Sequence, residues 1–196
     1  MESIEKFKVK TLEIGGFAGA LLALRLPYGK ECRSIPTVLN ENLGKRIDTD
    51  GEKSFDLFNY SSMIQLHDKD KALISALVKR GDEHAKVLRG VLVWCEINAP
   101  RYFWQEMDTY RVGVEKLSSE STMHIEGKGL SEEELVKMKE ELPEGHMQKR
   151  ICMFSYQALR RIYFQRKDHR LPQWRKFCEW IKQLPFAEEF IIIENK

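Results

Sequence analysis

Charged and apolar residues alternate along Lys6–Ile14 (KFKVKTLEI), the period of two that a half-buried strand shows. Gly15-Gly16 interrupts the alternation, and Phe17–Leu26 (FAGALLALRL) then reads as a helix. Residues 27–52 hold few apolar side chains and several turn formers, which predicts loops and a hairpin. Ala72, Leu73, Ala76 and Leu77 place an amphipathic helix over Asp68–Lys79. Val87–Ile97 is β-branched and apolar, the pattern of a central strand. Pro100 then starts a helix over Arg101–Arg111 that carries Trp104, Met107 and Tyr110. Residues 113–129 are the least regular stretch. Ser131 and Glu134 have capping-box spacing ahead of a short helix that ends near Leu142-Pro143. Met147, Ile151, Phe154, Ala158 and Ile162 follow at spacings of four, three, four and four, which predicts one long helix from about Gly145 to Lys167. Pro172 starts a last helix with Trp174, Phe177, Cys178 and Ile181 inward, Pro185 stops it, and Phe190–Ile193 reads as a returning strand. The expected architecture is mixed α/β (α+β): a central sheet flanked by long helices, in a single domain over residues 1–196.

Composition narrows the class. The chain has 196 residues, 42% of them apolar, enough for a core without staples. No apolar run approaches the ~20 residues of a membrane span, and MESIEKFKVK lacks the apolar centre of a secretory signal. No membrane partner is expected. Cys32, Cys95, Cys152 and Cys178 stand far apart and form no C-x-x-C, which favours a reducing, cytoplasmic setting over a disulfide scaffold or zinc knuckle. His67, His84, His124, His146 and His169 do not fall at metal-ligand spacings, so no metal is expected.

The net charge of +2 hides an asymmetry: residues 145–185 carry ten Lys/Arg and two Asp/Glu, or +8, against −6 for the remainder. A basic segment on an acidic body suits a nucleotide phosphate, a cofactor pyrophosphate or a nucleic acid; a solvated helix face is the alternative. Nucleic acid is disfavoured, because several of these cations fall near predicted buried faces. On the helical stripe, Arg161 and Arg166 edge toward the core, and Arg160 points to solvent. An inward arginine cannot shed its charge and needs a carboxylate or an anionic ligand. Gln105, Glu106, Asp108, Thr109, Tyr110 and Arg111 form a second polar group beside Trp104, suited to a phosphorylated heterocycle or to an ordinary surface helix. Gly15-Gly16-x-x-Gly19 lacks the G-x-G-x-x-G order and reads as a strand-to-helix turn.

Three blocks resemble the flavin-dependent thymidylate synthases. His84–Pro100 (HAKVLRGVLVWCEINAP) is similar to the family's strand that ends in Ala-Pro and runs into a helix. QEMDTYRVGVEKLSSES, from Gln105, is similar in position to the signature R-H-R-x-x-S-x-N-E-x-S-x-R. Leu142–Arg166 resembles the family's Leu-Pro followed by a helix ending in L-R, with PQWRKF and LPFAEEF after it. The resemblance covers about residues 84–190 and the signature is eroded. Thr109 and Tyr110 stand where the family has Arg and His, Val114, Lys116 and Leu117 where it has Ser, Asn and Glu, Ser121 where it has the last Arg, and Gly90 replaces a His. Arg111, Ser119 and Arg166 are kept, and Lys139 keeps a positive charge where the family often has Arg.

The resemblance implies reductive methylation of a deoxyuridine monophosphate (dUMP)-type pyrimidine nucleotide. FAD is the implied cofactor, methylene-tetrahydrofolate and NADPH the co-substrates, and a homotetramer the implied assembly. It implies Arg166 as the catalytic residue and Gln105, Glu106, Arg111, Ser119, Lys139 and Arg166 around the nucleotide. It places His84, Tyr110, Arg111, Ser155, Gln157 and Arg161 on the cofactor, with Tyr110 stacking on a ring and Arg161 replacing a lost charge. The alternative is a catalytically inactive nucleotide-binding protein of the same fold.

Overall fold

The computed structural model describes residues 2–28 and 66–194 of the chain. Among these, β1 (Lys8–Gly15), β2 (Leu92–Pro100), β3 (Val114–Ser119) and β4 (Met147–Ser155) form one antiparallel sheet in the order β1-β2-β4-β3. The described helices are α1 (Glu2–Glu5), α2 (Phe17–Arg25), α3 (Asp68–Val78), α4 (Arg101–Met107), α5 (Thr122–Ile125), α6 (Glu132–Glu141), α7 (Tyr156–Arg166), α8 (Pro172–Lys182) and α9 (Ala187–Phe190). The hairpin expected within 27–52, and Cys32, lie outside the described residues from position 29 onward.

The strand period sets the layers. Val93, Cys95, Ile97 and Ala99 of β2 are fully buried, and they alternate with half-buried Leu92, Trp94, Glu96 and Asn98. Cys152 and Phe154 of β4 extend the buried face, in register with Cys95 and Val93. Helices cover this face: Phe177 of α8 meets Phe154 with ring centroids 5.7 Å apart, and Trp180 donates to Thr11 Oγ1 of β1 at 3.0 Å. Gly16 lets β1 turn into α2. Its φ is 91°, and a Cβ there would overlap the Gly90 carbonyl oxygen, so two backbones approach where only glycine fits. This is the expected strand-to-helix turn.

Three expectations are corrected. The long helix over 145–167 is a strand, Met147–Ser155, followed by a helix, Tyr156–Arg166. The 4-3 spacing of Met147, Ile151 and Phe154 mixes both faces of a strand whose core face reads Gln148, Arg150, Cys152, Phe154; two polar residues there disguise the period of two. Phe190–Ile193 adds no strand, because Ala187–Phe190 closes as a helical turn on Pro185 and Phe186. Val87–Ile97 is strand only from Leu92; Lys86–Arg89 is a 3-10 turn.

Two of the chain's junctions carry the site. Pro100 leads β2 straight into α4, and Ser155 leads β4 straight into α7. Ser155 caps α7 by accepting from Ala158 N at 3.2 Å. The capping box of α6 forms as expected: Ser131 Oγ accepts from Glu134 N, and Glu134 Oε2 accepts from Ser131 N at 2.8 Å.

Candidate functional site

The predicted site residues divide into three neighbourhoods and one outlier. The first is a polar cleft of about 300 Å³ between α4, α6 and the start of β4. Its lining includes Gln105 and Lys139, both expected at a nucleotide, together with Arg101, Asp108, His146 and Arg150. Several of its charges are matched. Lys116 pairs with Asp108, His146 lies 3.2 Å from Glu126, and Gln105 donates to Glu144 at 2.9 Å, beside Arg101. Two cations are not. Lys139 donates to Thr122 Oγ1, and Arg150 donates to Gln148 Oε1 at 3.0 and 3.2 Å; neither has a carboxylate partner among the described residues. Burial pushes the Lys116 ammonium down, and neighbouring Arg150 pushes it further. The cleft thus holds more positive charge than its carboxylates cancel. Ser119 closes β3 exposed, in register with Arg150, so the two side chains leave the same sheet face.

The second neighbourhood lies on the other side of α4. Arg166, 15% exposed, donates from Nη1 to Glu106 Oε2 at 3.0 Å and from Nε to Tyr110 Oη at 2.8 Å. Glu106 Oε2 also accepts from Trp174 Nε1 at 2.6 Å. The Arg166 guanidinium stacks 4.6 Å from the Trp174 ring centroid. His169 adds Nε2 at 2.8 Å from Arg166 Nη1, while its Nδ1 faces Leu171 N at 3.2 Å. A neutral imidazole has one lone pair and serves one of these donors at a time. The carboxylate that an inward Arg166 requires is Glu106. Tyr110 is buried edge-on against Trp174, with its hydroxyl committed to Arg166.

The third neighbourhood runs along the start of α7. Arg89 donates to Gln157 Oε1 at 2.7 Å, and Gln157 donates to Asp82 O at 3.2 Å. One helical turn on, Arg161 donates to Val112 O at 2.8 Å, next to exposed Arg111, which reaches only Asp108 O at 3.4 Å. Arg89, Arg111 and Arg161 form a row with no carboxylate partner among the described residues. Ser155 is buried beneath it. Gly113, at φ 74°, packs on Ser155 so closely that a Cβ would overlap the hydroxyl. His84 is the outlier: it is exposed at the rim of an apolar groove between α2 and α3, 3.6 Å from Glu83.

One orientation is corrected. Arg160 does not face solvent. It is 4% exposed, donates to Ile191 O at 2.7 Å and to Ile193 O, and lies 4.8 Å from the Phe164 ring centroid. Ala158 and Ile162 are buried as the stripe requires, but α7 also buries Tyr156, Leu159 and Tyr163, so its covered surface is wider than one stripe and takes in Arg160. Arg150, three after Met147 and four before Phe154, faces inward: the period of two in β4 puts it with Cys152 and Phe154. Arg89 had no signal beyond its place next to Gly90.

The described cysteines are unsuited to nucleophilic work. Burial pushes Cys152 up to about 11 and Cys178 to about 12, and raises Cys95 as well. No group of three His, Cys, Asp or Glu among the described residues is arranged to hold a metal ion. No helix among the described residues is long and apolar enough to cross a membrane.

No protein-family model matches the sequence, and no curated protein matches it. Solved structures do. The crystal structure of the flavin-dependent thymidylate synthase ThyX from Helicobacter pylori, complexed with FAD and dUMP, superposes with a TM-score of 0.63 at 14% identity. That match covers 96% of this chain and 100% of the other. A second crystal structure of ThyX from Helicobacter pylori, with FAD and dUMP, gives 0.61 at 13% identity over 95% and 97% of the two chains. The resemblance noted in 84–190 thus extends in three dimensions over nearly the whole chain, which has the fold of the flavin-dependent thymidylate synthases.

Proposed function

We propose that the protein binds FAD and a dUMP-type pyrimidine nucleotide and carries out reductive methylation of the nucleotide, with methylene-tetrahydrofolate as carbon donor and NADPH as reductant. The observation that carries this reading is the cleft that joins Gln105 and Lys139 to Arg150, with two cations lacking carboxylates, on a fold shared with enzymes solved with FAD and dUMP. A nucleotide monophosphate brings two negative charges, which match the two unpaired cations.

The residues present fit FAD at its pyrophosphate. Arg89, Arg111 and Arg161, with Gln157 between them, form a cationic row near the start of α7. They would hold that group by charge and hydrogen bonding. Reduced flavin supplies hydride when bound. The chain supplies position and charge. Lys139 and Gln105 hold the nucleotide in the cleft, with Ser119 at its margin. Arg166 has Nε and Nη1 fixed by Tyr110 and Glu106, and its Nη2 has no partner among the described residues. Because Arg166 lies across α4 from its own chain's cleft, that edge would stabilise negative charge on the pyrimidine imide of a nucleotide held at a site between subunits. Tyr110 serves here by holding Arg166, and Ser155 by capping α7. His84, expected on the cofactor, stands apart from both groups at the rim of the groove between α2 and α3.

A homo-oligomer, tetrameric by resemblance, and a cytoplasmic setting complete the proposal. The sheet face opposite α8, with half-buried Trp94, Ile151 and Met153, supports the oligomer. The test is turnover of the full chain with FAD, NADPH, methylene-tetrahydrofolate and dUMP. Flavin-dependent formation of thymidine monophosphate is expected. Bound flavin and dUMP with no product would leave the inactive nucleotide-binding alternative.

A further inference from the structure

We propose that Arg150 is the phosphate anchor of the cleft, a clamp built from residues outside the eroded signature. β4 carries Arg150 on its core face between Gln148 and Cys152, so the side chain leaves the strand among buried groups and its guanidinium lines the cleft. The guanidinium lies over Trp104, 4.5 Å from the ring centroid. Nε and Nη2 donate to Gln148 Oε1 at 3.2 and 3.0 Å. Gln148 is itself fixed: its carbonyl accepts from Trp104 Nε1 at 3.1 Å, and its side-chain amide donates to Glu120 O at 2.7 Å. The cation is therefore oriented by an aromatic face and one neutral amide. Its Nη1 has no partner among the described residues.

A half-buried guanidinium held only by neutral groups is an expensive arrangement. Burial lowers its pKa, and it depresses that of nearby Lys116 in turn. A dianionic phosphate in the cleft relieves both effects. It meets the free Nη1 of Arg150, with Lys139 lining the same cleft beside Thr122. The ligand chemistry is a phosphate monoester or free phosphate. The inference rests on the proposed function only in taking that ester to be a pyrimidine nucleotide.

The test is isothermal titration of the full chain with dUMP, inorganic phosphate and deoxyuridine, for the parent, Arg150→Gln, Arg150→Lys and Lys139→Gln. The parent should bind dUMP at least about tenfold more tightly than deoxyuridine, and inorganic phosphate should compete with dUMP. Arg150→Gln should weaken dUMP and phosphate by about 10- to 100-fold, the usual worth of a charge-assisted contact, and leave deoxyuridine unchanged. Arg150→Lys keeps the charge without the planar fork and should lose about fivefold. If Arg150→Gln proves unfolded by circular dichroism, Arg150→Lys and Lys139→Gln carry the test, each expected to weaken phosphate selectively. An unchanged dUMP-to-deoxyuridine ratio in the Arg150 variants, or no phosphate preference in the parent, overturns the inference. Phosphate binding through Arg150 in a protein that never takes flavin would sink the proposed function alone. Product formation with Arg150→Gln binding dUMP normally would sink the anchor alone.

Discussion

Replacing Glu106 with Ala strips the Arg166 guanidinium of its carboxylate and Trp174 Nε1 of its acceptor in one step. Removing one partner of a fully buried ion pair costs about 3–5 kcal/mol, and exposed pairs are worth about 0–1. Here the arginine side chain is 15% exposed and the glutamate 34%, which places the loss between these limits, at about 2–3 kcal/mol. In a chain of this size each kcal/mol moves the melting temperature by roughly 2–4 °C, so the variant should melt roughly 4–12 °C lower. Glu106→Gln keeps an acceptor for Trp174 and should lose about half as much in free energy. Urea unfolding followed by circular dichroism measures both. A cycle with Arg166→Met isolates the pair, and the double variant should recover part of the loss because no buried charge is left alone. A Glu106→Ala protein within about 0.5 kcal/mol of the parent would refute the view that Glu106 holds Arg166 in place.

Other perturbations have defined outcomes. Gly16→Ala forces a Cβ onto the Gly90 carbonyl at φ 91° and should destabilise by about 2 kcal/mol or more in urea unfolding. Arg160→Ala removes the donor to Ile191 O and Ile193 O; it should cost about 2–3 kcal/mol and speed hydrogen exchange over 187–193. The Glu134 carboxyl is held below its usual range by the Ser131 backbone and side-chain bonds, so its support of α6 is present above the unfolded carboxylate pKa and lost as pH falls through the lowered one. Hydrogen exchange at the start of α6 should therefore quicken, relative to its intrinsic rate, on acidification, and in Ser131→Ala at neutral pH. Thiol alkylation of the native protein at pH 8, mapped by mass spectrometry, should spare Cys95, Cys152 and Cys178.

How far the fold was legible depended on whether one period ruled a segment. β1 alternates on either side of a bulge between Thr11 and Glu13, and the α6 capping box is local chemistry; both elements read directly from the sequence. The start and inward face of α8 did too, from Pro172 and the spacing of Trp174, Phe177 and Ile181. β4 did not, because its core face spends two positions on Gln148 and Arg150, and its outer face is apolar at Met147, Ile151 and Met153. That arrangement mimics a helical stripe. Arg160 was not legible for another reason: α7 buries Tyr156, Leu159 and Tyr163 on the side away from Ala158 and Ile162, a second covered face that one apolar stripe does not reveal. The partner of Arg166 could be required from charge but not named, since Glu106 lies sixty positions away in sequence. The cleft was half legible: Gln105 and Lys139 follow from the resemblance, whereas the seat of Arg150 over Trp104 shows only in the fold.

The most direct measurement is the visible absorption spectrum of the purified full chain after incubation with oxidised FAD and desalting, before and after addition of dUMP. A retained flavin spectrum that shifts on adding dUMP, and that is lost or weakened in Arg161→Ala, is the expected result. A folded protein that retains no flavin under these conditions would contradict a flavin-dependent methylation and leave a nucleotide-binding cleft without its redox partner.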